Sequence, residues 1–137
     1  MNTALVILGS GKSKRFGNVK SKLFFKVNGL PLINYTFKNF QSIFNKKDIY
    51  ITIPKKITKK ELIYLQGFSE NLLIKGGSSR SQSLKNALGQ IDLNSYQYLL
   101  IHDAARPNVS KNLIKKIRAL LMTSKYDAVI PFTQITD

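Results

Sequence analysis

The chain contains no cysteine and a single histidine among its 137 residues. These absences exclude disulfides, thiolate catalysis and cysteine-based zinc sites, and they leave the chain poorly suited to nucleophilic catalysis. No apolar run approaches the roughly 18 residues that a bilayer-spanning helix needs. Residues 1–8 are apolar but lack a basic lead-in and a small-residue cleavage site, so they read as a first strand rather than a signal peptide. The expected compartment is the cytoplasm, with no membrane association. There is no internal repeat, low-complexity tract or linker, and the length suits one domain over 1–137.

Acidic residues are also scarce: seven Asp and Glu stand against 22 Lys and Arg, a net charge of +15. Such a balance suits a polyanionic partner, either nucleic acid or a phosphate-rich small molecule. Eighteen of the basic residues are lysine, and the pairs Lys46-Lys47, Lys55-Lys56, Lys59-Lys60 and Lys115-Lys116 are scattered instead of forming one stripe. Scattered pairs read as solvated surface. With no aromatic-rich platform for stacking bases, a nucleic-acid module ranks last, and no nucleic-acid partner is expected.

What the chain does have is an alternation of β-rich runs and helical patterns, the mark of a mainly parallel sheet wound with helices. Ala4 to Leu8 is a continuous apolar run, as in a buried central strand. Leu32, Ile33, Thr36, Phe37 and Phe40 share a helical face that follows Pro31. Ile49 to Ile53, Leu72 to Ile74, and Tyr98 to Ile101 read as strands, Lys59 to Leu65 and Ser83 to Leu88 as helices. Ser110 is placed to cap a helix carrying Leu113, Ile114, Ile117, Leu120 and Leu121, and Ala128 to Pro131 begins one more strand. Ligands of such sheets bind beyond the C-terminal strand ends, so the polar segments 9–22, 76–83 and 102–107 are expected to converge.

The first of these segments combines Gly9, Gly11 and Gly17 with four lysines and Arg15, the composition of a phosphate cradle. Gly11-Lys12-Ser13 imitates the end of a Walker A loop, but the glycine required five residues earlier is Val6. The dinucleotide fingerprint G-x-G-x-x-G fails as well, because its third glycine is Lys14. A basic surface loop with glycines as turn formers is the plainer alternative.

Three ordered blocks resemble the 2-C-methyl-D-erythritol 4-phosphate cytidylyltransferase family of the non-mevalonate isoprenoid pathway. The family loop A-A-G-x-G-x-R-M-G, followed by P-K and later G-x-P, is similar to Gly9 to Gly17, Ser21-Lys22 and Gly29-Leu30-Pro31. The block G-G-x-x-R-x-x-S matches Gly76 to Ser83, and H-D-A-A-R-P is intact as His102 to Pro107. The departures are Gly9 and Ser10 for the two opening alanines, Ser13 for a glycine, and Ser21 for the proline. The family pattern continues past Asp137 into a dimerisation arm and a last strand and helix. The resemblance thus implies a Rossmann-like α/β fold of the nucleotide-diphospho-sugar transferase type, missing its C-terminal part, and a homodimer whose arm is absent here.

The resemblance also implies a CTP-dependent enzyme that moves CMP to a sugar phosphate with release of pyrophosphate. A phosphate monoester is already largely dianionic near neutrality and needs no activating base. Catalysis then consists of positioning and of charge stabilisation by cations, main-chain N–H groups and Mg²⁺. By motif position, Arg15 and Lys22 are the transition-state cations, and Gly9, Ser10, Gly11, Lys12, Gly76, Gly77, Ser78 and Ser83 bind the nucleotide, with the Ser83 hydroxyl reading the base. Asp103, Ala104 and Arg106 lie by the acceptor, and Asp103 is the candidate Mg²⁺ ligand. His102 is expected to shape its loop. The alternatives are the same chemistry with ribitol 5-phosphate or another sugar phosphate, and a non-catalytic CTP-binding remnant.

Overall fold

The computed structural model describes residues 2–11, 21–69 and 72–134. They fall into two compact units, Met1–Pro107 and Asn108–Asp137.

The first unit is built on a four-stranded sheet. Strand β1 (Thr3–Leu8) is buried along its whole length, as its unbroken apolar run requires. A hairpin follows, made of β2 (Lys26–Val27) and β3 (Leu30–Pro31) around Asn28 at φ 48° and Gly29 at φ 82°. Asn-Gly is the dipeptide that accepts two successive positive φ values, which is what this turn requires. Helix α1 (Leu32–Gln41) starts after Pro31 and buries Ile33, Thr36, Phe37 and Phe40, the face set out by the helical spacing. Strand β4 (Ile49–Ile53) coincides with the β-branched run before Pro54.

Helix α2 (Lys59–Ile63) is short and opens on a capping box between Thr58 and Glu61. Strand β5 (Leu73–Lys75) lies one residue later than expected. Helix α3 (Arg80–Leu88) begins three residues before the apolar pattern, because the Ser79 hydroxyl accepts from Gln82 N–H at 3.0 Å and caps it. Strand β6 (Tyr98–Asp103) completes the set.

All four sheet strands are parallel, in the order β5-β4-β1-β6. The order reverses at β1, so the crevice of a doubly wound sheet falls beyond the C-terminal ends of β1 and β6. Alternation along β6 decides what enters it. In the β1–β6 register Ile7 pairs with His102 and Leu8 with Asp103, so the two β6 residues leave opposite faces. His102 meets Phe40 of α1, and Asp103 turns to the face where Val6, Leu8, Ile74, Ala87 and Ile91 form a buried cluster.

In the second unit, helix α4 (Lys111–Leu121) is capped by Ser110, whose hydroxyl accepts from Leu113 N–H at 3.1 Å. The strand expected from Ala128 is not formed: residues 128–134 carry no regular structure, and Ile130 and Phe132 are 82% and 92% exposed. β-propensity describes a fit to a neighbouring strand, and none of the described residues pairs with this segment.

Candidate functional site

The described parts of the three polar segments do converge. They enclose an open cleft of about 660 Å³ at the C-terminal edge of the sheet. Gly9, Ser10 and Gly11 come from the end of β1, Ser78 and Ser83 from the start of α3, and Asp103, Ala104 and Arg106 from the end of β6. Lys22 reaches the cleft from the turn 22–24. Lys12 and Arg15 lie outside the described residues.

Gly76 and Gly77 do not line the cleft. Gly76 N–H donates to Ile53 C=O at 2.8 Å and Gly77 N–H to Ser83 Oγ at 3.0 Å, so both main-chain donors are spent inside the protein. The requirement for glycine at 76 is steric: a Cβ there would collide with Cβ and Oγ of Ser10. Gly9 is constrained in the same way. Its N–H points at Thr52, 3.0 Å from both the carbonyl and the hydroxyl oxygen, and an added Cβ would come within 2.7 Å of that carbonyl. Gly9 is thus pressed against β4, and Ser10 against Gly76, with no room for a side chain at either glycine.

The third segment is pinned from α1. Thr36 Oγ1 donates to Ala104 C=O at 2.7 Å, and Asn39 Nδ2 donates to Pro107 C=O at 2.7 Å. Three apart, these two residues share a helix face, with Thr36 fully buried. Ala104 N–H donates to Leu8 C=O at 2.9 Å, extending the sheet pairing by one residue. His102 Nε2 lies 2.8 Å from Arg106 C=O, which makes Nε2 the protonated nitrogen, since a carbonyl only accepts. Burial pushes the imidazole pKa below its ordinary value, although its bond to the Arg106 carbonyl opposes this. The ring therefore serves as neutral scaffolding under the loop and is absent from the lining of the cleft.

Arg80, the first residue of α3, was not singled out among the site residues. It lines the cleft and places Nε 3.1 Å from Asp103 Oδ1, while Arg106 Nε lies 3.4 Å from Oδ2. Its signal in the sequence was its place in the G-G-x-x-R-x-x-S block, one turn before Ser83. With Lys22, these arginines bring three cations to a cleft that one carboxylate, glycines and hydroxyls also line. That arrangement suits a ligand with several phosphates.

The family model described as 2-C-methyl-D-erythritol 4-phosphate cytidylyltransferase matches residues 3–137. The enzyme of that name from Clostridium beijerinckii is 33% identical over 129 residues, covering 92% of this chain and 55% of the relative. The bifunctional enzyme IspD/IspF of Pelagibacter ubique is 36% identical, covering all of this chain and 36% of the relative. The solved structure of the bifunctional IspDF from Campylobacter jejuni superposes with a TM-score of 0.70 at 32% identity, over 90% of this chain and 31% of that one. The chain therefore spans about a third to about half the length of these relatives. The fold, the converging blocks and the match across almost every residue place the chain in the 2-C-methyl-D-erythritol 4-phosphate cytidylyltransferase family.

Proposed function

We propose that the protein is a cytidylyltransferase that moves CMP from CTP to 2-C-methyl-D-erythritol 4-phosphate and releases pyrophosphate, a step toward isoprenoid precursors. The observation that carries this reading is the meeting of Gly9–Gly11, Ser78–Ser83 and Asp103–Arg106 in one cation-lined cleft. A phosphate oxygen of the acceptor attacks the α-phosphorus of CTP. A new phosphoanhydride bond forms as the bond to the β-phosphate oxygen breaks, and pyrophosphate carries the electron pair away. Lys22 and Arg15 stabilise charge on the α-phosphate and the leaving group, and Lys12 helps to hold the nucleotide. Arg106 and the Asp103–Ala104 main chain hold the acceptor, and the segments around Ser10 and Ser78 take the base.

Asp103 is the one acidic residue among those lining the cleft, and no cluster of three metal-ligating residues occurs among the described ones. A single carboxylate fits Mg²⁺ that arrives with a nucleotide, because Mg²⁺ keeps waters and takes phosphate oxygens. Both Asp103 oxygens face arginines, so Asp103 would hold the ion beside the guanidinium groups of Arg80 and Arg106. The ion, when bound, neutralises charge on the triphosphate. No helix among the described residues is long and apolar enough to cross a membrane. We place the reaction in the cytoplasm without a nucleic-acid partner, in a homodimer where the family's arm is present.

The test is pyrophosphate release with Mg²⁺, CTP and methylerythritol phosphate, with ribitol 5-phosphate and ATP as controls. Release that needs CTP and methylerythritol phosphate and is lost in Lys22→Ala is expected. CTP binding without release would reduce the chain to a nucleotide half-site.

A further inference from the structure

Helix α1 meets the loop 102–107 along one stripe. Thr36, Asn39 and Phe40 stand at positions i, i+3 and i+4, so they share a face of the helix. Thr36 Oγ1 donates to Ala104 C=O and Asn39 Nδ2 to Pro107 C=O, both at 2.7 Å. Phe40 packs edge to face with the His102 ring at 4.8 Å between centroids, and that ring donates from Nε2 to Arg106 C=O at 2.8 Å. The stripe thus holds three of the loop's carbonyls, two directly and one through His102.

A fourth is held within the loop, where Asp103 C=O accepts from Arg106 N–H at 3.0 Å. Arg106 is therefore fixed at both of its main-chain groups, and its Nε lies 3.4 Å from Asp103 Oδ2. Asp103, Ala104, Ala105 and Arg106 line the cleft, whereas Thr36, Asn39 and His102 do not. The carbonyls of Ala104, Arg106 and Pro107 are thus engaged behind the loop. An anion in the cleft does not meet their partial negative charge.

We propose that the stripe of Thr36, Asn39 and Phe40 positions Arg106, and so sets the affinity for the phosphorylated acceptor without touching it. Asn39 is the positioning residue that can be changed at little cost to the core, because it is half-buried while Thr36 and Phe40 are fully buried. The inference rests on the cytidylyltransferase reading and deepens it, since it says what holds the acceptor's arginine in place before the acceptor arrives.

The experiment is steady-state pyrophosphate release with Mg²⁺, CTP and methylerythritol phosphate, with melting temperatures. It compares the wild-type chain, Asn39→Leu, Thr36→Ser, Arg106→Ala and the double variant of Asn39→Leu with Arg106→Ala. Asn39→Leu removes the donor to Pro107, so the KM for methylerythritol phosphate should rise about threefold to tenfold. Its kcat, its KM for CTP and its melting temperature should stay close to those of the wild type. Thr36→Ser keeps its donor but loses a buried methyl group, so it should melt lower with an unchanged KM for the acceptor. With Arg106→Ala already present, Asn39→Leu should change that KM less than about twofold, because the arginine it acts through is gone. A merely structural stripe would raise both KM values alike, in step with the fall in melting temperature. That result, an unmoved acceptor KM in Asn39→Leu, or an effect that adds in full to Arg106→Ala, overturns the proposal while the cytidylyltransferase reading stands. A wild type that releases no pyrophosphate overturns both. If Asn39→Leu fails to fold, Asn39→Ser, too short to reach Pro107, is held to the same outcomes.

Discussion

Arg80 Nε and Asp103 Oδ1 stand 3.1 Å apart across 23 residues of chain, joining the first turn of α3 to the end of β6. Arg106 holds the other carboxylate oxygen at 3.4 Å, so one acid keeps two guanidinium groups at the mouth of the cleft. An anion entering there meets cations already oriented by Asp103, which a mobile surface arginine could not offer.

Replacing Arg80 separates this function from stability. Both partners remain substantially solvated, and exposed ion pairs contribute about 0–1 kcal/mol. Arg80→Gln is therefore expected to leave the melting temperature nearly unchanged while CTP-dependent pyrophosphate release falls about tenfold, the usual effect of losing a charged hydrogen bond to substrate. A normal rate with a lowered melting temperature would make the pair structural.

Two glycines of the site should respond oppositely to alanine. At Gly76 the added methyl group runs into Ser10, an overpacking expected to cost about 1–3 kcal/mol and to weaken nucleotide binding. At Gly11 an added Cβ meets nothing within 4 Å among the described residues, so Gly11→Ala should stay within about 0.5 kcal/mol of wild type. Urea denaturation of both variants checks the contrast.

Thr36→Val keeps the shape of a fully buried side chain but removes the donor to Ala104 C=O. An unsatisfied buried carbonyl is expected to cost about 1–3 kcal/mol. Because Ala104 belongs to the loop proposed to hold the acceptor, the KM for the sugar phosphate should rise while that for CTP does not, which steady-state kinetics can resolve.

His102 makes stability depend on pH. Burial lowers its pKa in the folded state, so the unfolded chain binds the proton first as pH falls. The native state is then favoured most above the unfolded value of about 6.5 and loses that advantage as pH drops toward and through the lowered folded pKa. His102→Gln should be less stable at pH 7.5 but flatter between pH 7.5 and pH 5, as followed by urea midpoints. A parallel pH profile in wild type and variant would show that His102 does not titrate in this window.

Much of the scaffold was legible because local pattern and tertiary demand agree. The unbroken apolar run 4–8 could only be a strand covered on both faces, and the spacing of Ile33, Thr36, Phe37 and Phe40 could only bury as a helix. The hairpin at Asn28-Gly29 is written in a dipeptide that tolerates positive φ. Ala128 to Ile130 has strand composition without a strand, since pairing belongs to two segments and composition to one.

The sequence by itself determined the alternation of strands and helices, the three polar blocks at their ends, and through those blocks the family. Only the tertiary structure decided what each block does in the cleft. Asp103 faces α3 and His102 faces α1 because neighbouring residues of a strand leave opposite sides of the sheet. Arg80 meets Asp103, and Ser10 donates to Ser83 across 73 residues, through the approach of separate strand ends. Donors and acceptors can be counted along a chain, but which are consumed internally and which are left for a ligand depends on that approach.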